Sequence, residues 1–264
     1  MLNISDIKPT AIDKIKKVKV PNKVTNDLAY LCGVLAGDGS IQIQLHKHNY
    51  IVKCVGNPKD EQEFYEKILK PLIHDLFNLD IKMKYFDGNR SYGFVFTSKS
   101  IVLFLTKIIG LPSGRKDNLE IPKIFMKNKV LTKNFIQGFY DTDGCLSLKK
   151  RYRNENYYPV VTVVCKSENI IKQISNFLVN NGLTVCKYKR KYFDKRVNKT
   201  EITHEVTVYG HYKLLKWIKI IGFRHPKHLK KFALWQERNK ERIAEGGVPL
   251  GRFSNPNLNS AVKN

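Results

Sequence analysis

The sequence contains no apolar run near the roughly 20 residues that a membrane-spanning helix requires. Its opening stretch, MLNISDIKPTAIDKIKKVKV, has lysines but lacks the apolar core of a secretory signal. The expected location is therefore intracellular, in cytoplasm, nucleoid or an organelle, and the chain is not expected to be secreted. Cysteine is scarce: Cys32, Cys54, Cys145, Cys165 and Cys186 are odd in number and form no CxxC pair, which predicts reduced, mostly buried thiols and no disulfide framework. The close histidine pairs, His46 with His48 and His225 with His228, have no third ligand at zinc spacing. Acid is the residue class in shortest supply relative to its opposite. Against 47 Lys and Arg stand 23 Asp and Glu, a net charge of +24. Such an excess is drawn to polyanions, because each neutralised phosphate releases condensed counterions. Nucleic acid is the expected partner. No lipidation motif or basic amphipathic helix points to a membrane.

What is present is a core and a repetition. At 42% hydrophobic over 264 residues the chain can bury one large domain or two small ones. LCGVLAGDG at 31–39 resembles IQGFYDTDG at 136–144, so Asp38 and Asp143 are paired 105 residues apart. KYFD recurs at 84–87 and 191–194, and KIIG at 107–110 and 219–222, offsets of 107 and 112. Three matches in one order with a slowly growing offset describe a duplication with insertions in the second copy.

Each copy opens on a helix, Asn26–Gly37 capped by Thr25 and Lys133–Asp141 capped by Thr132. A strand follows, with Ile41, Ile43 and Leu45 inward and Ser40, Gln42, Gln44 and His46 outward, or Leu146 and Leu148 inward and Ser147, Lys149 and Arg151 outward. A second strand, a helix, two more strands and a last helix complete the pattern. The fold is predicted as α+β: two pseudo-symmetric α-β-β-α-β-β-α units, each a four-stranded antiparallel sheet with helices on one face, joined through paired helices. The predicted boundaries are an N-terminal extension at 1–24, units at 25–110 and 132–244, a linker at 111–131 and an irregular tail at 245–264. No protein partner is required, and a monomer is expected.

The outward faces are selectively basic. Lys82 and Lys84 share one face with Arg90 and Tyr92; Lys187, Lys189 and Lys191 share another with Arg151 and Arg153. A β-surface of this kind fits the ~12 Å major groove of DNA, where Gln, Arg and Lys read base edges.

The opening helices carry stripes of small residues, Gly33 with Gly37 and Gly138 with Thr142, which let two helix backbones approach closely. Each ends in Asp-Gly. Gly39 and Gly144 are expected to supply the positive φ that ends a helix and begins a strand. An aspartate at a helix C-terminus faces an already negative dipole, and two brought together repel. A divalent cation held by both carboxylates relieves that repulsion, and hard oxygen donors point to Mg²⁺. Such an ion activates water in phosphoryl chemistry.

These residues resemble the two signature motifs of the LAGLIDADG homing endonucleases in their monomeric form, with GDGS, TDGCLSL and GLPSGRK adding to the likeness over about residues 25–235. The resemblance implies a saddle of two sheets that binds double-stranded DNA and cuts one phosphodiester on each strand, leaving short 3′ overhangs. It implies Asp38 and Asp143 as catalytic, metal-ligating acids, with the carbonyls of Gly37 and Thr142 in the metal shell and Mn²⁺ able to replace Mg²⁺. By position, Lys99, Asn57 and Lys166 are candidates for organising water at the scissile phosphates. Asp141, with Ala36 as its counterpart, reads as structural or as support for the site. Three readings stand beside cleavage: an RNA maturase acting on intron RNA, a cleavage-inactive DNA-binding regulator, and an intein's endonuclease domain. The sequence lacks splicing residues, with Met1 at its start and Lys263 before Asn264, so a free-standing or intron-encoded nuclease is expected rather than an intein's domain.

Overall fold

The computed structural model describes residues 2–151, 155–194 and 198–244. The chain runs α1 (Ala11–Ile15), α2 (Asn26–Gly37), β1 (Gly39–Gln44), β2 (Asn49–Gly56), α3 (Pro58–Phe64) and α4 (Lys70–Phe77), the last two joined by a π-turn. β3 (Met83–Phe86), β4 (Ser91–Thr97) and α5 (Lys99–Leu103) complete the first unit. After α6 (Lys123–Met126), the second unit comprises α7 (Lys129–Asp143), β5 (Gly144–Arg151), β6 (Glu155–Cys165), α8 (Glu168–Asn180), β7 (Cys186–Asp194), β8 (Lys199–Tyr209) and α9 (His211–Ile220). α10 (Pro226–Ala244) follows it. The two sheets are antiparallel and four-stranded, in orders β1-β2-β4-β3 and β5-β6-β8-β7. The duplicated α+β architecture is thus present.

The helix pair α2 and α7 is the spine. Leu28 through Leu35 are buried without a break, as in a helix surrounded by protein on all sides. Glycine is what lets the two backbones touch. A Cβ on Gly33 would lie 2.0 Å from the Phe135 carbonyl oxygen, and one on Gly138 would lie 2.0 Å from that of Tyr30. Thr25 caps α2 as expected, accepting from the Leu28 amide. α7, however, starts earlier than the sequence suggests. Asn128 is its cap, accepting from the amides of Val130 and Leu131, while Thr132 lies inside the helix and donates to the carbonyls of Phe125 and Asn128.

Other boundaries shift for local reasons. β1 ends at Gln44, and Leu45 and His46 fall in a 3₁₀ turn with Leu45 70% exposed. Gly39 and Gly144 do not have positive φ. They are required by crowding instead: a Cβ would fall 2.6 Å from the Leu35 backbone and 2.4 Å from the Tyr140 carbonyl, where strand and helix meet. α10 is a helix that the repeat pattern did not reveal. Cys32 and Cys54 are buried, but Cys145 and Cys186 are exposed, because both fall on the open face of the second sheet.

The connecting segments bind the units to each other. The stretch after the first unit lies against α8 of the second, with Ser167 donating to the Leu119 carbonyl and the Ile121 amide donating to Gln173, both at 2.7 Å. α10 crosses back to α3, where Lys230 pairs with Glu63 at 2.8 Å. The N-terminal residues are also docked. Asp13 is fully buried and accepts from the hydroxyls of Ser98 and Ser100 at 2.7 and 2.8 Å. Burial opposes its ionisation, but those hydrogen bonds prevail and hold its carboxyl below the usual range.

Candidate active site and nucleic-acid interface

Asp38 is the C-cap of α2 and Asp143 the last residue of α7, so the close helix pair delivers both carboxylates to one place. A Cβ on Gly37 would lie 2.0 Å from the Thr142 hydroxyl and 3.3 Å from Asp143 Oδ2, so the second acid reaches the foot of the first helix. Desolvation pushes the Asp38 carboxyl up to about 6, helped by the charge of Glu61. Desolvation and the charge of Asp38 push Asp143 up to about 7. Two partly solvated, mutually repelling carboxylates with a helix-terminal carbonyl and a hydroxyl beside them form a hard oxygen donor set, which suits a divalent cation.

Two half-buried lysines that the sequence pattern did not reveal frame this pair. Lys116 donates to the carbonyls of Leu35, Ala36 and Gly37 at 3.0, 3.0 and 2.6 Å, neutralising the negative end of α2. The Gly37 carbonyl, expected among the metal ligands, therefore has an ammonium as one partner. Burial lowers the Lys116 pKa, against the charges of Asp143 and Asp38. Lys227 donates to Glu61 at 2.5 Å and acts electrostatically on both aspartates. The signal was in the repeat: Lys116 comes six residues after the Gly of the first KIIG and Lys227 five after the second. A cleft of about 460 Å³ opens beside the pair, lined by Gly37, Lys116, Asp143 and Lys166 among others.

Of the auxiliary candidates, Lys166 is in that cleft, paired with Glu201 at 3.2 Å. Asn57 serves as the cap of α3, its side chain accepting from the Lys59 amide at 3.0 Å. Lys99 is elsewhere. Its ammonium sits 5.5 Å from the Tyr50 ring, and Tyr50 is four residues, about 13 Å along β2, from the Cys54 that pairs with Gly39. Asp141 is fully buried and accepts from the Tyr30 hydroxyl at 2.6 Å and from the amides of Arg224 and His225, tying α2, α7 and the start of α10 together.

Register sorts the interface residues, since directly paired residues point to the same side of a sheet. On the first sheet Ser40, Gln42 and Gln44 share the open face with Ile51, Lys53, Lys84 and Phe86. The ammoniums of Lys53 and Lys84 lie 4.8 and 5.1 Å from the Phe86 ring centroid. Lys53 was not anticipated. Lys82 is exposed just before β3, and Arg90 is in the β3–β4 turn, its Nε donating to the Asp87 carbonyl. Tyr92, expected outward, points inward. It pairs with Gly56 in register with Cys54 and Phe94, and its hydroxyl donates to Glu66.

On the second sheet Ser147, Lys149 and Arg151 lie on the open face, Arg151 stacking 4.6 Å from the Tyr158 ring. Arg153 lies outside the described residues. Lys187, Lys189 and Lys191 oppose Val206, His204 and Ile202, which places them on the helix side. Lys189 accordingly acts electrostatically on Glu168 of α8. β7 is an edge strand whose residues are exposed on both faces, so the lysines gave no parity signal. The open face instead has Tyr188 and Arg190, the latter paired with Glu205 at 2.7 Å.

A spine of two glycine-packed helices ending in facing aspartates, flanked by two antiparallel sheets, defines the class of protein. Residues 131–222 match the LAGLIDADG-like domain. The second unit is thus similar to a LAGLIDADG-like domain, and the chain has the fold of the single-chain, two-unit LAGLIDADG homing endonucleases. The structure of I-DmoI in complex with DNA and Ca superposes with a TM-score of 0.55 at 18% identity, over 80% of this chain and 97% of that one. I-GzeII in complex with its DNA target gives 0.50 at 10% identity, over 85% and 92%. In sequence, an uncharacterized protein of Methanocaldococcus jannaschii is 27% identical over 188 residues, which is 68% of this chain and 63% of that protein. A reverse gyrase of the same organism is 25% identical over 77% of this chain, which spans only 11% of its length. Among the described residues no helix is long and apolar enough to cross a membrane.

Proposed function

We propose that this chain is a metal-dependent, site-specific DNA endonuclease that hydrolyses both strands of a long duplex target and leaves short 3′ overhangs. The observation that carries the reading is the pair Asp38 and Asp143, held together at the feet of α2 and α7 between two sheets with cationic open faces. The I-DmoI and I-GzeII structures hold DNA, and an I-DmoI complex holds Mn, which supports a duplex substrate and a divalent cation here. As a monomer, the chain supplies both half-site surfaces, each following about one turn or ~10 bp of duplex.

Asp38 and Asp143, with the Thr142 and Gly37 carbonyls beside them, would hold Mg²⁺ or Mn²⁺. When bound, the cation supplies an activated water and charge neutralisation at the scissile phosphate. The chain does the rest. The buried helix ends fix the carboxylates, so little reorganisation is needed at reaction. Lys116 and Lys227 face charge that grows on the phosphoryl oxygens. Lys166 lies in the cleft beside Asp143, where it can orient solvent. On the open faces, Gln42, Gln44 and Lys84 read base edges and phosphates of one half-site, and Ser147, Lys149, Arg151 and Arg190 those of the other.

The test is incubation of a randomised duplex library with the protein and Mg²⁺, beside the Asp38→Asn/Asp143→Asn double variant, followed by sequencing of ends. Discrete 3′-overhang cuts from the wild type alone are expected. Salt-sensitive binding without cutting would replace the reading by an intron RNA maturase or a cleavage-inactive regulator.

A further inference from the structure

The two lysines of the site are held in different ways. Lys116 is bound by three neutral carbonyls, whereas Lys227 is bound by a carboxylate from the opposite unit. That carboxylate, Glu61, is itself built in. It is 9% exposed, its Oε2 accepts from the Asn57 amide at 2.9 Å, and Oε1 lies 3.9 Å from His225 Nε2. The backbone beneath is cleared for it, since a Cβ on Gly56 would fall 1.7 Å from Oε2. Among the described residues, nothing in the other unit repeats this. Counted from the caps Asn57 and Ser167, the residue matching Glu61 is Ile171, a buried hydrocarbon.

We infer that Glu61 is a positioning residue for Lys227, fixing its ammonium next to Asp38, and that through it one strand of the duplex depends on a charge the other strand does not need. A surface ion pair between flexible partners would hold little, but this one has a buried carboxylate oriented by a backbone amide, and Lys227 is itself only about one-fifth exposed. Removing the carboxylate leaves the lysine free to swing into solvent. The Asp143 half keeps Lys166 and Lys116, and Lys116 acts on Asp143 more strongly than Lys227 does. The inference rests on the endonuclease reading above.

The experiment is single-turnover cleavage of the selected target with each strand separately labelled, for wild type, Glu61→Gln, Glu61→Asp and Gly56→Ala. Glu61→Gln keeps the shape and the acceptor for the Asn57 amide but loses the charge. It is expected to slow one strand at least ~10-fold and the other less than ~2-fold, with Glu61→Asp recovering part of the loss. Gly56→Ala, which displaces the carboxylate without neutralising it, should slow the same strand. Cutting of the unaffected strand is the internal control for folding; if Glu61→Gln fails to melt cooperatively, the other two variants decide. Equal slowing of both strands, or none, overturns the inference. A wild type that binds the target and cuts neither strand overturns the endonuclease reading itself, and this inference with it; that failure appears in the wild type and cannot be confused with the first.

Discussion

The first unit has an acid, Glu61, where the second has Ile171; the second brings Lys166 to its side of the centre, while the first relies on Lys227 delivered from α10. Between these divergent surroundings the helix pair is almost mirror-exact in its demands: Gly33 and Gly138 each stand where a methyl group would meet the opposite backbone carbonyl at 2.0 Å. Backbone approach is a hard steric condition that both copies must satisfy together, because each helix is the other's wall. On the endonuclease reading, side chains around the acids face separate phosphates and are free to differ. The symmetric part of this molecule makes the site possible, and its asymmetric part decides how each half works.

The sharpest way to test that division is to remove the acids one at a time. Asp38→Asn and Asp143→Asn should each abolish most cleavage, since the charge held there is worth several kcal/mol at the transition state, about 10³-fold in rate. Strand-resolved assays should show residual nicking that differs between the two variants. Identical residual patterns would mean that the two halves act as one centre, and the contrast drawn above would collapse. DNA binding, measured by anisotropy in Ca²⁺, should remain within a few-fold of wild type.

The spine predicts the next effect. Gly138→Ala should cost about 1–3 kcal/mol through overpacking, and Gly33→Ala a similar amount, read as a shift in urea midpoint. The double variant should be less costly than the sum, because the helices need separate only once. Additive losses would show that the two contacts yield independently.

A smaller effect follows from the raised carboxyls. Asp38 and Asp143 hold their protons to about 6 and about 7 in the folded chain, against an ordinary value of 3.8. The folded state therefore binds more protons than the unfolded one between roughly pH 4 and 7, and metal-free stability falls as pH rises through that window. With the groups partly reached by water, the loss is on the order of 2 kcal/mol. Asp143→Asn should flatten it, and Mg²⁺ at pH 8 should restore melting temperature in the wild type but not in the double Asn variant. Asp13 runs the other way: its lowered pKa means stability present at neutral pH and lost as pH drops below about 4.

Much of the fold was legible because the signals were local. The alternation Ser40-Ile41-Gln42-Ile43 gave the first strand and its faces, and the glycine stripes gave the spine. The paired acids were legible because the duplication printed them twice. Lys116 and Lys227 were not read from local pattern, since Lys116 acts where its linker folds back onto the end of α2 and Lys227 acts after α10 has crossed to the first unit. Thr132 resembled a cap, but Asn128 offered the same chemistry one turn earlier. Tyr92 looked polar enough to face outward, yet its hydroxyl reaches Glu66 at the edge of the core and leaves the ring inside.

The faces of the edge strands give the finest test of the comparison. Lys84 lies on the open face of the first sheet, whereas Lys189 of the second points toward the helix layer and Arg190 takes the open side. Each phosphate contact contributes about 0.9 to the slope of log affinity against log salt. Lys84→Ala should therefore lower that slope by about one unit and weaken binding by less than about tenfold at physiological salt. Lys189→Ala should leave the slope unchanged, although the residue is exposed and of the same charge. Arg190 is held by Glu205, so Arg190→Ala should lower the slope by less than Lys84→Ala, and Glu205→Gln should raise it by freeing the guanidinium. Charge alone would predict equal slopes for all three cations. A Lys189 effect as large as that of Lys84 would mean that the duplex wraps beyond the sheet edge onto the helix side, and register would no longer mark the boundary of the interface.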